Sequence, residues 1–370
     1  MAVNKVKEFR DNLSKMFIES LKEDDIQWIK NWSYENPYNC FSEKEYTGIN
    51  NFHLRLIQAH KGFSDPRWIT YNQLMEMNKK IKDKNLKYSI KGERGFKVEF
   101  WFAMDKTETG KKPKFYTFQE VRKILKENPE KREEDFQLVA KYYTVFNGSQ
   151  IKNFPEYQAP KRNIGIEQSE LVKKISKNMD IPILNDQVDS SFYVSEFDQI
   201  HLPDPEQFSS QQAYNFVCLH ELAHATGSEN RLNRDTLKNY HKDITIRAEE
   251  ELVAEIASAF MGAYFGETPQ EHLDNQKAYV QSWASVVEKN PKVLIKAISE
   301  AQKSADYLEQ KAEIKVQKTH SVEIDEKTHE FPKENINDKS IKHSTDEYLN
   351  EIMSVGNVGK KKDISEEITF

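Results

Sequence analysis

The segment Cys218-Leu219-His220-Glu221-Leu222-Ala223-His224-Ala225-Thr226-Gly227 contains HExxH, and this spacing constrains the chain more than any other feature. On a helix, positions i and i+4 lie on one face, so both imidazoles can bind a single zinc ion while Glu221 addresses its water. The flanking residues predict that helix independently. Ser209 and Ser210 offer N-caps after a Pro-containing stretch, Gly227 offers a C-terminal stop, and Ala213, Phe216, Val217, Leu219 and Ala223 give an apolar stripe. Two surface histidines paired with a glutamate would leave the same bare motif, but the run before His220 is apolar and suits a buried helix.

Catalytic zinc keeps three protein ligands and one open position, so a third ligand is needed. Arg247-Ala248-Glu249-Glu250-Glu251-Leu252-Val253-Ala254-Glu255-Ile256-Ala257-Ser258-Ala259-Phe260 has a helical pattern with Leu252, Ile256, Ala259 and Phe260 on its core face. Glu251 and Glu255 stand one turn apart on an adjoining face, the arrangement of a glutamate-type zincin. Glu251 is then the ligand, and Glu255 holds a ligand histidine in its tautomer. Glu249 and Glu250 read as a solvated N-terminal face favoured by the helix dipole. The chemistry expected of such a site is amide hydrolysis with Glu221 as the base, zinc as the ion and another divalent metal as the alternative. Tyr240 and His241, between the two helices, are candidate oxyanion partners, although an ordinary loop role is the plainer reading.

With 370 residues, 37% hydrophobic and 31% charged, the chain reads as a soluble protein of about two domains. It contains no membrane span, and its start lacks a signal-peptide core, so the expected location is the cytoplasm. Cys40 and Cys218 are too few for a disulfide framework, and Cys218 is expected to pack in the core. The net charge of −6 hides an uneven distribution: residues 76–126 hold 15 Lys and Arg against 7 Asp and Glu.

Helices are expected over 5–23, 51–60, 169–177, 276–288 and 291–308, and strands over 88–90, 97–102, 142–146, 192–194 and 199–202, with a turn at 91–95. Aromatics crowd the first part, from Trp28, Trp32 and Tyr34 to Trp68 and Tyr71. The composition turns polar between Asn147 and Pro160, which places domains at 1–150 and 151–310. Residues 311–370 are rich in Lys, Glu and Asp and poor in aromatics, and they read as a disordered tail. The fold class is α+β, with an N-terminal mixed α/β domain and a C-terminal zincin-like domain.

Basic residues interleaved with aromatics are what single-stranded nucleic-acid binders use, the charges tracking phosphates and the rings stacking on bases. Taken with the motifs Asn36-Pro37-Tyr38-Asn39, Tyr46-Thr47-Gly48-Ile49-Asn50, Gly62-Phe63-Ser64-Asp65-Pro66-Arg67-Trp68, Ile90-Lys91-Gly92-Glu93-Arg94-Gly95, Val145-Phe146-Asn147, Asp198-Gln199-Ile200-His201-Leu202-Pro203, His220 to Gly227 and Glu250 to Phe260, the chain resembles the ArdC-type antirestriction proteins of plasmids and other mobile elements. The resemblance covers most of residues 5–290. It implies an N-terminal domain that binds single-stranded DNA, a C-terminal zincin-like metallopeptidase domain, and a role in shielding incoming DNA from host restriction. On that basis Tyr46, Arg67, Trp68, Lys91 and Arg94 are expected to contact DNA. The alternative is an intracellular zinc metallopeptidase that cleaves a host restriction or regulatory protein. The stretch 126–137 looks like an insertion to which the resemblance assigns no role.

Overall fold

The structure is a computed structural model that describes residues 2–22, 36–107, 114–158, 168–264 and 282–314. The expectations for Trp28, Trp32, Tyr34, residues 276–281 and the tail beyond 314 fall outside those residues. Its first half runs α1 (Ala2–Lys22), β1 (Tyr38–Asn39), β2 (Lys44–Glu45), α2 (Gly48–Lys61), β3 (Arg67–Thr70), α3 (Tyr71–Lys79), β4 (Phe96–Asp105), β5 (Phe115–Tyr116), α4 (Phe118–Glu127) and β6 (Phe136–Asn147). Gly62 stops α2 because its φ of +66° is open to glycine at no steric cost. Helices α3 and α4, which periodicity missed, each begin at a capping box: Thr70 with Gln73, and Thr117 with Glu120.

The six strands are ordered β2-β1-β3-β6-β4-β5. Strands β4 and β6 pair antiparallel from Phe96↔Val145 to Asp105↔Phe136, so β6 starts six residues before the expected strand. Of the apparent insertion at 126–137, only Phe136 and Gln137 belong to this strand. Instead of the strand expected at 88–90 there is a single bridge, Ser89↔Lys152. Opposed residues share a face. On one face Glu99 accepts from Tyr142 Oη (2.6 Å), Trp101 Nε1 (2.8 Å) and Arg10 of α1 (3.1 Å), a buried carboxylate fully satisfied. On the other, Val98 and Val145 close on Tyr46, Leu54, Ile57 and Trp68. Where β4 has no partner strand, the Asn50 amide of α2 bonds the Glu99 backbone at 2.7 and 2.8 Å, in place of a neighbouring strand.

The second half contains α5 (Gln168–Met179), β7 (Ile183–Gln187), β8 (Phe192–Val194), β9 (Gln199–Pro203), α6 (Gln211–Ala225), α7 (Asp235–Lys238), α8 (Ile244–Gly262) and α9 (Lys292–Ala312). Its sheet is ordered β7-β9-β8. Ser210 caps α6 through the Ala213 N–H, as expected from the sequence. A Cβ on Gly262 would stand 2.7 Å from the Phe216 ring, so this glycine lets α8 approach α6. One hydrophobic core joins the halves: Leu13, Phe17, Phe52 and Leu56 pack in the same cluster as Leu219, Leu252, Leu294 and Ile298. A Gln302 side-chain oxygen also accepts the first N–H of α2, at Gly48, at 2.8 Å.

Candidate metal centre

Helix α6 is buried along most of its length, and Cys218 lies inside it with no exposed surface. His220 and His224 stand on one side, their Nε2 atoms 3.1 Å apart. Helix α8 crosses beside them and brings Glu251 Oε2 to 3.4 Å from His220 Nε2 and 3.8 Å from His224 Nε2. A tetrahedral ion with bonds of about 2.0–2.1 Å sets its ligand atoms roughly 3.3 Å apart, so these three separations bracket what a divalent ion needs. Two imidazoles and one carboxylate also suit zinc chemically. Among the described residues this is the group of His, Cys, Asp and Glu side chains that converges in this way.

The ring nitrogens turned away from the centre each meet a carboxylate of α8. His220 Nδ1 lies 3.3 Å from Glu255 Oε2, at ion-pair distance though out of line for a hydrogen bond. His224 Nδ1 lies 3.1 Å from Glu250 Oε1. Glu255 lies beside a histidine of the motif, while Glu250 corrects the solvated reading given to it. Far from being solvated, Glu250 is completely buried, because Arg234 and Thr236 supply the donors that make its burial tolerable. Arg234 Nη2 also donates to the Ala223 carbonyl at 2.7 Å, placing a cation at the carboxyl end of α6. The guanidinium fits there because residue 227 is glycine: a Cβ would lie 2.7 Å from it. Gly227 therefore does more than end a helix.

Burial disfavours protonation of His220, but Glu251 and Glu255 beside it carry its pKa well above the ordinary value. Burial likewise opposes the rise of His224, yet Glu250 and Glu251 bring it to about 9. Glu250 resists the effect of its own burial through Arg234 and His224, falling to about 2. Glu221 moves the other way: burial raises it, offset in part by His220 and His224. Tyr240 donates its hydroxyl to Glu251 Oε1, and its ring stands edge-on to His224 with centroids 6.1 Å apart. Of the two oxyanion candidates, Tyr240 therefore touches Glu251. His241 packs against Tyr240, at 5.1 Å between ring centroids.

The residues expected to contact DNA divide. Tyr46 and Trp68 are 6% and 0% exposed and belong to the core behind β4 and β6, so neither can offer a ring face to a base. Arg67 is also interior: it pairs with Asp65 at 2.7 Å and lies over the Phe154 ring at 4.5 Å. Lys91 and Arg94 are exposed, on the turn around Gly92. The correction has a simple cause: large aromatic residues in a small sheet domain are first of all packing material, and Arg67 can join them because Asp65 pairs with it.

The family described as the N-terminal domain of anti-restriction factor ArdC matches residues 7–146, and the family described as zincin-like metallopeptidase matches residues 170–300. Two Escherichia coli proteins named DNA primase TraC are 31% and 32% identical to the chain over 82% of its length. The chain spans only 27% and 20% of those relatives. An uncharacterized Sinorhizobium fredii protein, y4eC, is 26% identical over 74% of the chain and 80% of its own length. Among solved structures, the metal-free antirestriction ArdC protein from plasmid R388 is similar with a TM-score of 0.61 and 27% identity, covering 82% of this chain and 97% of that one. The Mn(II)-bound structure of that protein gives a TM-score of 0.59 and 28% identity, with the same coverage.

Proposed function

This chain belongs to the ArdC-type antirestriction family, and from that premise we propose that it binds single-stranded DNA through its N-terminal half and hydrolyses peptide bonds at its HExxH site. The observation that carries the hydrolytic reading is the convergence of His220, His224 and Glu251 on one point beside a buried Glu221. A divalent ion held there, zinc in our reading, would supply Lewis acidity and lower the pKa of a bound water toward neutrality. His220, His224 and Glu251 would hold it, while Glu250 and Glu255 fix the rings so that both Nε2 atoms face the centre. Glu221 takes the proton from the attacking water and passes it to the leaving nitrogen; the raised pKa that burial gives it makes it a stronger base than a solvated glutamate.

Support for the DNA reading comes from the ArdC match over 7–146 and from the basic stretch 76–126. The protein would act in the cytoplasm; among the described residues no helix is long and apolar enough to cross a membrane. A second reading, a metallopeptidase that acts on a host restriction or regulatory protein, is favoured by Glu221, since a purely structural metal site needs no base. The test compares Glu221→Gln with wild type in a restriction-challenge assay and in proteomics of cleavage products. Loss of protection together with loss of cleavage products supports the peptidase reading. Protection that persists in the variant makes DNA shielding the function, and cleavage that persists removes Glu221 as the base.

A further inference from the structure

The face of β4 and β6 that buries Val98 and Val145 does not stay buried along its length. Beyond them the same face carries Phe100, Phe102 and Met104 on β4, Tyr143 and Lys141 on β6, and Phe115 on β5, as the pairings Val98↔Tyr143, Phe100↔Lys141 and Met104↔Phe115 require. Phe115 and Tyr143 are 38% and 41% exposed, and the others are partly so. Contiguous exposed apolar surface of this kind marks a binding site more often than an accident of packing. Lys141 stands in the middle. Its Nζ lies 3.2 Å from the centroid of the Phe115 ring and 5.1 Å from that of Phe102, and no carboxylate among the described residues pairs with it. The opposite face is different: there Arg10 of α1 neutralises Glu99 and Phe9 covers Tyr142.

We infer that this face, with Phe100, Phe102, Phe115 and Tyr143 around Lys141, is the base-stacking platform for single-stranded nucleic acid. The inference rests on the reading that the N-terminal half binds single-stranded DNA. Rings on one strand face recur every second residue, about 7 Å apart. Bases in a duplex are stacked 3.4 Å apart along each strand, so rings at this spacing accept bases that have been drawn apart, as only an unpaired strand allows. A cation without a carboxylate, held between rings, supplies the phosphate contact that such platforms need. The platform also replaces Tyr46 and Trp68, which belong to the interior on the same side of the sheet.

Fluorescence anisotropy of a labelled dT20 oligonucleotide with the full chain tests the assignment. Phe115→Leu and Tyr143→Leu should each weaken binding roughly 5- to 150-fold without changing its salt dependence. Lys141→Gln should lower the slope of log affinity against log salt by about 0.7. Tyr71→Leu, at an exposed aromatic on α3, should bind like wild type. Phe115 and Tyr143 lie on different strands, so a folding defect in one variant, seen by circular dichroism, leaves the other readable. Wild-type binding with all three platform variants within twofold of it would overturn the platform and leave the DNA reading intact. Absence of wild-type binding at low salt would overturn both. Unchanged DNA affinity with a shift from dimer to monomer in sedimentation would identify the face as a self-interface and overturn the platform.

Discussion

Tyr240 donates its hydroxyl to Oε1 of Glu251, the carboxylate whose Oε2 faces the two histidines. One oxygen is thus occupied by the phenol and the other is left for an ion, so Glu251 is set to bind through a single atom. Burial and the adjacent Glu251 raise the Tyr240 pKa, which keeps the phenol a donor across the whole working range. Replacing it by Phe should weaken metal retention about 10-fold, at the lower end of the effect of groups that orient a ligand. Competition with a coloured chelator reads this directly, and an unchanged affinity would assign Tyr240 to packing alone.

Glu251→Gln should lose metal more completely than Glu255→Gln, because the first removes a ligand and the second only a group that steadies one. Metal content after gel filtration, measured by mass spectrometry, decides between them. Equal content in Glu251→Gln and wild type would remove Glu251 from the ligand set.

Arg234 and Glu250 form a buried pair with 1% and 0% of their side chains exposed. Arg234→Ala leaves Glu250 charged and without its main partner, which should cost about 3–5 kcal/mol in urea unfolding. Glu250→Gln leaves the Arg234 guanidinium buried without its counter-charge and should likewise destabilise the fold, while weakening metal retention roughly 10- to 100-fold through His224. If Arg234→Ala unfolds at the wild-type urea midpoint, the pair is dispensable to stability.

In the metal-free protein the raised pKa of His224, about 9, means that its protonated form is stabilised by folding. That contribution is fully present below the ordinary histidine value of about 6.5 and is lost as pH rises through about 9. An ion must displace the proton, so metal affinity should climb as pH rises from 6 to 9 and binding should release protons. Calorimetry in buffers of different ionisation enthalpy counts them; no release at pH 7 would contradict the protonated pair.

What the sequence reveals depends on how local the determinant is. Ser210, the i, i+4 histidines and the apolar stripe of α6 act within one helix and can be read directly, as can the spacing of Glu251 and Glu255. Glu250 cannot, because in a run of three glutamates only Arg234 and Thr236, brought in from another segment, distinguish the buried one. Gly227 held a trace of that contact, visible only once the guanidinium beside it is known. Tyr46 and Trp68 misled for the opposite reason: an aromatic motif is the same string whether it serves the core or the surface. Phe115 and Tyr143 cannot be read from the sequence as neighbours, because only the pairings Met104↔Phe115 and Val98↔Tyr143 bring them to one face.

The hydrogen bond from Gly48 to Gln302, and the packing of Phe17 and Phe52 among residues of α6, α8 and α9, have a consequence for heredity. A gene cut between the two family segments would yield two products, each with an oily flank facing water. The isolated 1–150 fragment should accordingly aggregate when expressed alone and recover solubility when 151–314 is supplied beside it. Recombination among mobile elements would then favour exchanging the two segments together, as one inherited block inserted into proteins of very different length.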